Sequence, residues 1–207
     1  MKRFFNLFVM ALLAVSAPLF VSCGGDDNNG APTYEEILAA INSMKGTYTG
    51  TCQAFFIVDG KASEEVSIEN VQWTAESQTI LLRDFPIAQL GRGVKENNAL
   101  KEALSNTTVK KDLIMKYNIC YSARGEYAFS LLSDGISFNL EEGDNTYAIV
   151  AEVLQDPSYC YVQGNDEAQR IQLVIRSFYV NGSPVSFNAM GFTFTSSKKS
   201  ASSIDLF

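Results

Sequence analysis

The chain has 207 residues, a formal charge of −7, 46% apolar residues and no histidine. Its apolar share excludes a disordered chain, and its acidity, with no Lys/Arg stripe, excludes a surface for phosphate backbones and so nucleic acid as a partner. Without histidine there is no Ser-His-Asp or Cys-His catalysis, no histidine zinc site and no imidazole base, so the expectation is a protein that is not an enzyme and that uses no metal or cofactor.

Lys2 and Arg3 form a positive n-region, and an almost unbroken apolar run follows from Phe4 to Phe20. A helix crossing the hydrocarbon core needs about 20 such residues. This run is shorter and ends in Pro18-Leu19-Phe20-Val21-Ser22-Cys23, followed by the polar Gly24-Gly25-Asp26-Asp27-Asn28-Asn29-Gly30. The layout predicts a secretory signal over residues 1–22 rather than a membrane span. All 23 acidic residues follow residue 22 and only Lys2 and Arg3 precede it, so the processed chain carries −9. Residues 23–32 read as a flexible tether, and 33–207 as a single β-rich domain large enough to build a core without staples.

The stretch ending at Cys23 resembles a lipobox, the cleavage and lipidation motif of bacterial lipoproteins. Ser22 and Val21 fit it, and Phe20 stands where Leu is usual. The resemblance implies acylation of Cys23, each buried CH₂ of the fatty chains contributing about 0.8 kcal/mol, and makes membrane lipid the first expected partner. The run after Cys23 is similar to the acidic tethers of Bacteroidota lipoproteins. That similarity implies a place in the cell envelope, lipid-anchored to the outer membrane on its periplasmic face or at the cell surface.

Thr33 lies three residues before Glu36, the spacing of a capping box. Ile37, Leu38, Ile41 and Met44 follow at helical spacing, which predicts a short amphipathic helix over 34–45, stopped by Gly46. The period then changes to two: Tyr48, Cys52, Ala54, Phe56 and Val58 share one face of a strand. Asp59-Gly60 signals a hairpin. The return strand carries Val66 and Ile68, then Val71 and Trp73, and the slip in phase predicts a β-bulge. Gln78–Arg83 is a third, short strand. Pro86, Gly91 and Gly93 break the pattern, and Ala99, Leu100, Ala103 and Leu104 form one face of a short helix. Further strands carry Leu113 to Tyr121, Tyr127 to Leu131, Ile136 to Leu140 and Tyr147 to Val153. A last hairpin runs from Ile171 to Val180, through Asn181-Gly182, to Val185 and Thr195. The Ser/Lys-rich residues 196–203 are predicted to fray.

These elements predict an all-β fold: an antiparallel barrel of about eight strands with a short N-terminal helix and a small helical insertion, or alternatively a two-sheet β-sandwich. A short helix leading into Gly46-Thr47-Tyr48-Thr49-Gly50 resembles the start of the first strand in lipocalin-like (calycin) barrels, with Tyr48 where Trp is usual. The resemblance implies the barrel, and a family of envelope lipoproteins whose function is unknown.

With Cys23 acylated, Cys52, Cys120 and Cys160 allow one internal disulfide, and sequence does not choose the pair; free, buried thiols fit equally. The acid/base candidates are Glu64 and Glu65, then Glu141, Glu142 and Asp144, and Asp156; two carboxylates across a cleft would suit a carboxylate-dependent hydrolase. Glu141, Glu142, Asp144 and Asn145 also offer oxygen ligands, though not at EF-hand spacing. All fall at predicted turns, where solvated charges are the rule. Aromatics make up 12% of the chain. The expected ligand-lining residues are Tyr48, Trp73, Tyr117, Tyr127, Phe129 and Tyr147, with Tyr121, Tyr159, Tyr161 and Tyr179 as further candidates. They would serve a non-enzymatic binding module for a small apolar or aromatic molecule or a glycan, and the same rings could equally fill a β core. An envelope structural or protein-interaction role, through an exposed face, is the alternative.

Overall fold

The computed structural model describes residues 33–58, 61–123, 126–143, 145–165 and 167–200. The signal, Cys23, the tether, the Asp59-Gly60 turn and Asp144 lie outside the described residues, as do the side chains of Cys120 and Tyr121.

Helix α1 spans Tyr34–Met44. The capping box forms as expected: Thr33 Oγ1 accepts from the Glu36 N–H at 3.3 Å, and the Thr33 N–H donates to Glu36 Oε2 at 2.7 Å. Ala40 and Met44 face the core, whereas Leu38 is 44% exposed. The stripe is therefore narrower than its apolar residues suggest, and the helix ends at Met44, before Gly46.

Among the described residues eleven strands follow: β1 (Gly46–Val58), β2 (Lys61–Ala75), β3 (Thr79–Leu82), β4 (Leu113–Ala123), β5 (Glu126–Leu132), β6 (Ile136–Glu142), β7 (Asn145–Val153), β8 (Tyr161–Gly164), β9 (Gln169–Val180), β10 (Ser183–Pro184) and β11 (Met190–Ser200). All belong to one antiparallel sheet. Eight of them close a barrel-like ring in the order β11, β1, β2, β3, β4, β5, β8, β9 and back to β11. This is the barrel-like alternative rather than two separate sheets.

β9 is the branch point. Its first half pairs with β8 on one edge and β11 on the other, and its second half pairs with β7. β7 carries β6, which ends the sheet.

The expected bulge is present. Gly50 pairs with Val71 and Cys52 with Ile68, so β2 holds one extra residue there, and Asn70 takes a φ of 60°. A second, unanticipated bulge falls where Ala54 pairs with Val66 and Phe56 with Ser63, with Glu64 at a φ of 51°. The predicted fraying over 196–203 is corrected as far as Ser200. Ser196, Lys198, Lys199 and Ser200 pair with Gly50, Thr49, Tyr48 and Thr47. Closing the ring gives these polar residues a strand partner that composition does not reveal. Conversely, the last strand begins at Met190 rather than Val185.

Alternation along the ring strands sends Tyr48, Trp73, Ile80, Met115, Phe129, Leu173 and Phe192 into one continuous buried cluster. α1 covers one end of the ring, where the Tyr48 hydroxyl donates to the Met44 carbonyl at 2.7 Å. An insertion between β3 and β4 fills the other end. It contains a 3-10 turn (Ile87–Gln89) and helices α2 (Leu90–Gly93) and α3 (Asn98–Ser105). Its buried Phe85, Ile87 and Leu90 join the ring's core, with the Phe85 ring 4.9 Å from Phe192.

Candidate functional site

Five of the six aromatics expected to line a ligand are brought together inside the ring. Tyr48 stacks on Trp73 at 5.7 Å, and Trp73 meets Phe194 edge-on at 6.3 Å. Phe129 lies 5.0 Å from Tyr117 and 5.6 Å from Tyr127. All five are buried. Tyr147, on β7, is half-buried and packs against the same cluster. Of the further candidates, Tyr161 is buried, Tyr179 is half-buried and Tyr159 is 42% exposed.

Trp73, Gln169, Tyr127 and Tyr117 have hydrogen-bond partners within the protein. The Trp73 indole N–H donates to Gln169 Oε1 at 2.5 Å, and Gln169 Nε2 donates to the Tyr127 hydroxyl at 3.0 Å. The Tyr117 hydroxyl donates to the Glu76 carbonyl at 2.7 Å. Burial, helped by the Tyr127 phenol, pushes Tyr117 up to about 12. Burial also raises Tyr161. These phenols stay protonated, and their hydrogen bonds serve the core.

Cys52 and Cys160 are free and buried. Burial pushes both thiols up, Cys160 to about 11. A nucleophilic cysteine needs the opposite shift.

The carboxylate candidates are dispersed. Glu64 and Glu65 sit exposed on β2, with Arg92 Nη2 donating to the Glu64 carbonyl at 2.5 Å. Asp156 caps its own turn, its Oδ1 accepting from the Ser158 N–H at 2.8 Å. Glu141 and Glu142 lie on β6, which does not pair with β2. Among the described residues no group of three or more His, Cys, Asp or Glu side chains is placed to hold a metal ion.

Glu141 and Glu142 do border a cavity of about 360 Å³ outside the ring. Its first wall is the chain leaving α3: Asn106, Thr107, Thr108 and Val109, with Ala103 from the helix itself. Its second wall is the end of β6: Asn139, Leu140, Glu141 and Glu142. Each wall is fixed from below. Asn97 caps α3, its Oδ1 accepting from the Leu100 N–H at 3.0 Å, and Leu100, Ala103 and Leu104 bury the helix's apolar face. Thr107 Oγ1 accepts from the Val109 N–H at 3.1 Å and shapes the turn out of the helix. On β6, Ile136, Phe138 and Leu140 point into the core, which turns Asn139 and Glu141 outward. The result is a cleft with amide, hydroxyl and carboxylate walls over apolar patches. Of its residues, the sequence marks only Glu141 and Glu142 as candidates for chemistry, and Ala103 and Leu140 only as parts of an apolar face. Asn106, Thr107, Thr108 and Asn139 follow no motif, and only the ring's topology brings the two walls together.

Residues 43–180, two thirds of the chain, match the family described as "Domain of unknown function (DUF4840)". No curated protein matches the chain. Among solved structures it is similar to the ywiB protein of Bacillus subtilis, at 10% identity and a TM-score of 0.31, over 75% of this chain and 94% of that one. It is also similar to an auxiliary nutrient binding protein of Bacteroides thetaiotaomicron, at 12% identity and a TM-score of 0.24, over 73% of this chain and 45% of that one.

Proposed function

The chain belongs to the DUF4840 family, and from that premise we propose that it is a lipid-anchored, non-enzymatic binding module of the cell envelope that holds its ligand in the outer cleft between residues 106–109 and β6. The cleft is the observation that carries this reading. It is concave, it is built on the rigid end of a strand and a capped helix, and its walls offer donors and acceptors above apolar contacts. The ring interior, by contrast, is occupied by aromatic side chains in contact with one another, so the ligand sits outside it. Polar walls favour a hydrogen-bonding ligand over an apolar one.

The anchor rests on the positive n-region, the apolar run that ends at Ser22-Cys23 and the polar tether beyond. Among the described residues no helix is long and apolar enough to cross a membrane. A ring of eight strands entered from a short helix supports kinship with the lipocalin-like barrels. A non-catalytic role is supported by the absence of histidine and by the two buried, protonated thiols.

An envelope interaction role is the second reading. Its support is the outer face of β4 and β5, where Ile114 is 62% and Leu132 40% exposed.

The test is mass spectrometry of protein purified from its native host in mild detergent. The expected species lacks residues 1–22, carries acyl chains on Cys23, and retains a small molecule or peptide that Asn106→Ala/Asn139→Ala releases. Retention of the first residues, or unchanged membrane partitioning of Cys23→Ser, would remove the anchor. A ligand indifferent to the cleft variant would remove the site.

A further inference from the structure

β6 pairs with β7 from Ile136 to Glu142, and no described strand pairs with its other edge. Among the described residues, no backbone hydrogen bond outside that pairing engages residues 136–142. A strand with one antiparallel neighbour turns every second pair of N–H and C=O groups away from it. β6 therefore presents a row of unpaired backbone groups, the template that recruits another extended chain.

The cleft lies along that edge. Four successive residues, Asn139 to Glu142, line it, although successive side chains of a strand point to opposite faces. A cavity bordered by both sets looks onto the edge, not onto one face. Across it, Asn106–Val109 forms a second rail at which no described strand sits. Four strand residues span about 13 Å, so the cleft suits a short extended segment.

Charge selects the occupant. Glu141 and Glu142 are exposed, and no ion pair among the described residues engages either. Lys110, just beyond the opposite wall, is committed to Asp84 at 2.8 Å. A second copy of this chain is acidic as well, with a formal charge of −7, and its own charge opposes its approach. We propose that β6 takes up an extended, basic peptide segment as an added strand, with backbone hydrogen bonds along the edge and Lys or Arg side chains on Glu141 and Glu142. This rests on the binding-module reading and names the ligand class for the same cleft.

The experiment titrates the full chain in mild detergent with an acetylated, amidated octapeptide of paired lysines and paired threonines, which carries lysine on both faces of an extended strand, its fully N-methylated twin, a glutamate-threonine analogue, and chitotetraose. The lysine-threonine peptide is expected to bind, to bind at least tenfold more weakly to Glu141→Gln/Glu142→Gln, and to weaken with added salt. The N-methylated twin, which keeps the charge and loses the backbone donors, is expected not to bind. Equal binding of that twin would overturn strand addition, and equal binding of the glutamate peptide would overturn the charge selection. Binding of chitotetraose alone, lost in Asn106→Ala, would overturn the peptide class and leave the binding module standing. Binding of none, with nothing co-purifying, would remove both readings.

Discussion

Trp73 and Gln169, 96 residues apart in sequence, are joined inside the ring by an indole-to-amide hydrogen bond of 2.5 Å. Gln169 also donates to the Tyr127 hydroxyl from its side chain and to Ser196 Oγ from its backbone. One glutamine on β9 thus ties together β2, β5 and β11. Gln169→Leu keeps similar bulk but strands the indole N–H, and a buried donor left unpaired costs about 1–3 kcal/mol. The expected loss is about 2 kcal/mol, or a fall in Tm of about 4–8 °C for a domain of this size. Trp73 is the single tryptophan, so its fluorescence reports the same site during denaturation. Arg176→Ala, on an exposed position of β9, should change stability by less than about 0.5 kcal/mol.

Lys199 closes the ring at the α1 end. Its Nζ lies 5.7 Å above the Tyr48 ring and donates to the Ser43 carbonyl at 2.6 Å. The contact holds the last turn of α1, the start of β1 and the end of β11 together. Lys199→Met retains the stem and removes the cation, so the expected cost is about 1–2 kcal/mol from the lost cation–π contact and charged hydrogen bond. Hydrogen exchange localises it: protection should fall first at Thr47–Gly50, which pairs with Ser196–Ser200. An unchanged exchange pattern would mean that the tail does not brace this edge.

How much was legible follows from how each element declares itself. β1 declares itself because Tyr48, Cys52, Ala54 and Phe56 alternate with residues that face outward, and every one of those four is buried. The bulge at Asn70 shows because Ile68 and Val71 flank it and carry the phase. The bulge at Glu64 has charged and polar neighbours, which carry none. β8 is hidden because Tyr161 and Val162 are both buried, so its four residues do not alternate. Residues 196–200 look like a tail because they are Ser and Lys alone, and the segment that pairs with them, Thr47 to Gly50, lies near the other end of the sequence. The cleft is the least legible feature. Each wall is ordinary strand or helix exit, and the site exists only through the contact between α3 and β6.

Buried thiols make stability depend on alkaline pH. Burial raises both Cys52 and Cys160, the latter to about 11, against about 8.5 for a free thiol. Between those values the unfolded chain loses the proton while the folded chain keeps it. The stabilisation is therefore complete below about pH 8.5 and declines as pH rises through the folded values. For Cys160 the slope should approach 1.4 kcal/mol per pH unit up to about pH 11, and Cys160→Ala should remove that part of it. In a Cys23→Ser/Cys120→Ser background, iodoacetamide at pH 8 should label neither thiol until the protein is unfolded. Rapid labelling of the native protein would contradict the burial of both.

The neck of the insertion responds at the other end of the pH scale. Its two sides meet where the Phe85 N–H donates to the Lys111 carbonyl at 2.7 Å. Asp112 accepts from the Asp84 N–H at 3.0 Å and from Arg83 Nη1 at 2.7 Å, while Lys110 reaches Asp84 at 2.8 Å. The Asp84 amide, and then the Arg83 guanidinium, hold the Asp112 carboxyl below the usual carboxylate range. A lowered folded pKa contributes stability above the unfolded value, about 3.9, and that contribution is lost as pH falls through the folded one. Acid should therefore loosen the neck before the ring. Asp112→Asn should do the same at neutral pH: tryptic cleavage within residues 84–112 should rise severalfold. The exposed pair is worth at most about 1 kcal/mol, so the variant's Tm should fall by no more than about 4 °C. If cleavage instead rose only in step with global unfolding and a larger fall in Tm, the insertion would be part of the ring's cooperative unit and not a separately fastened cap.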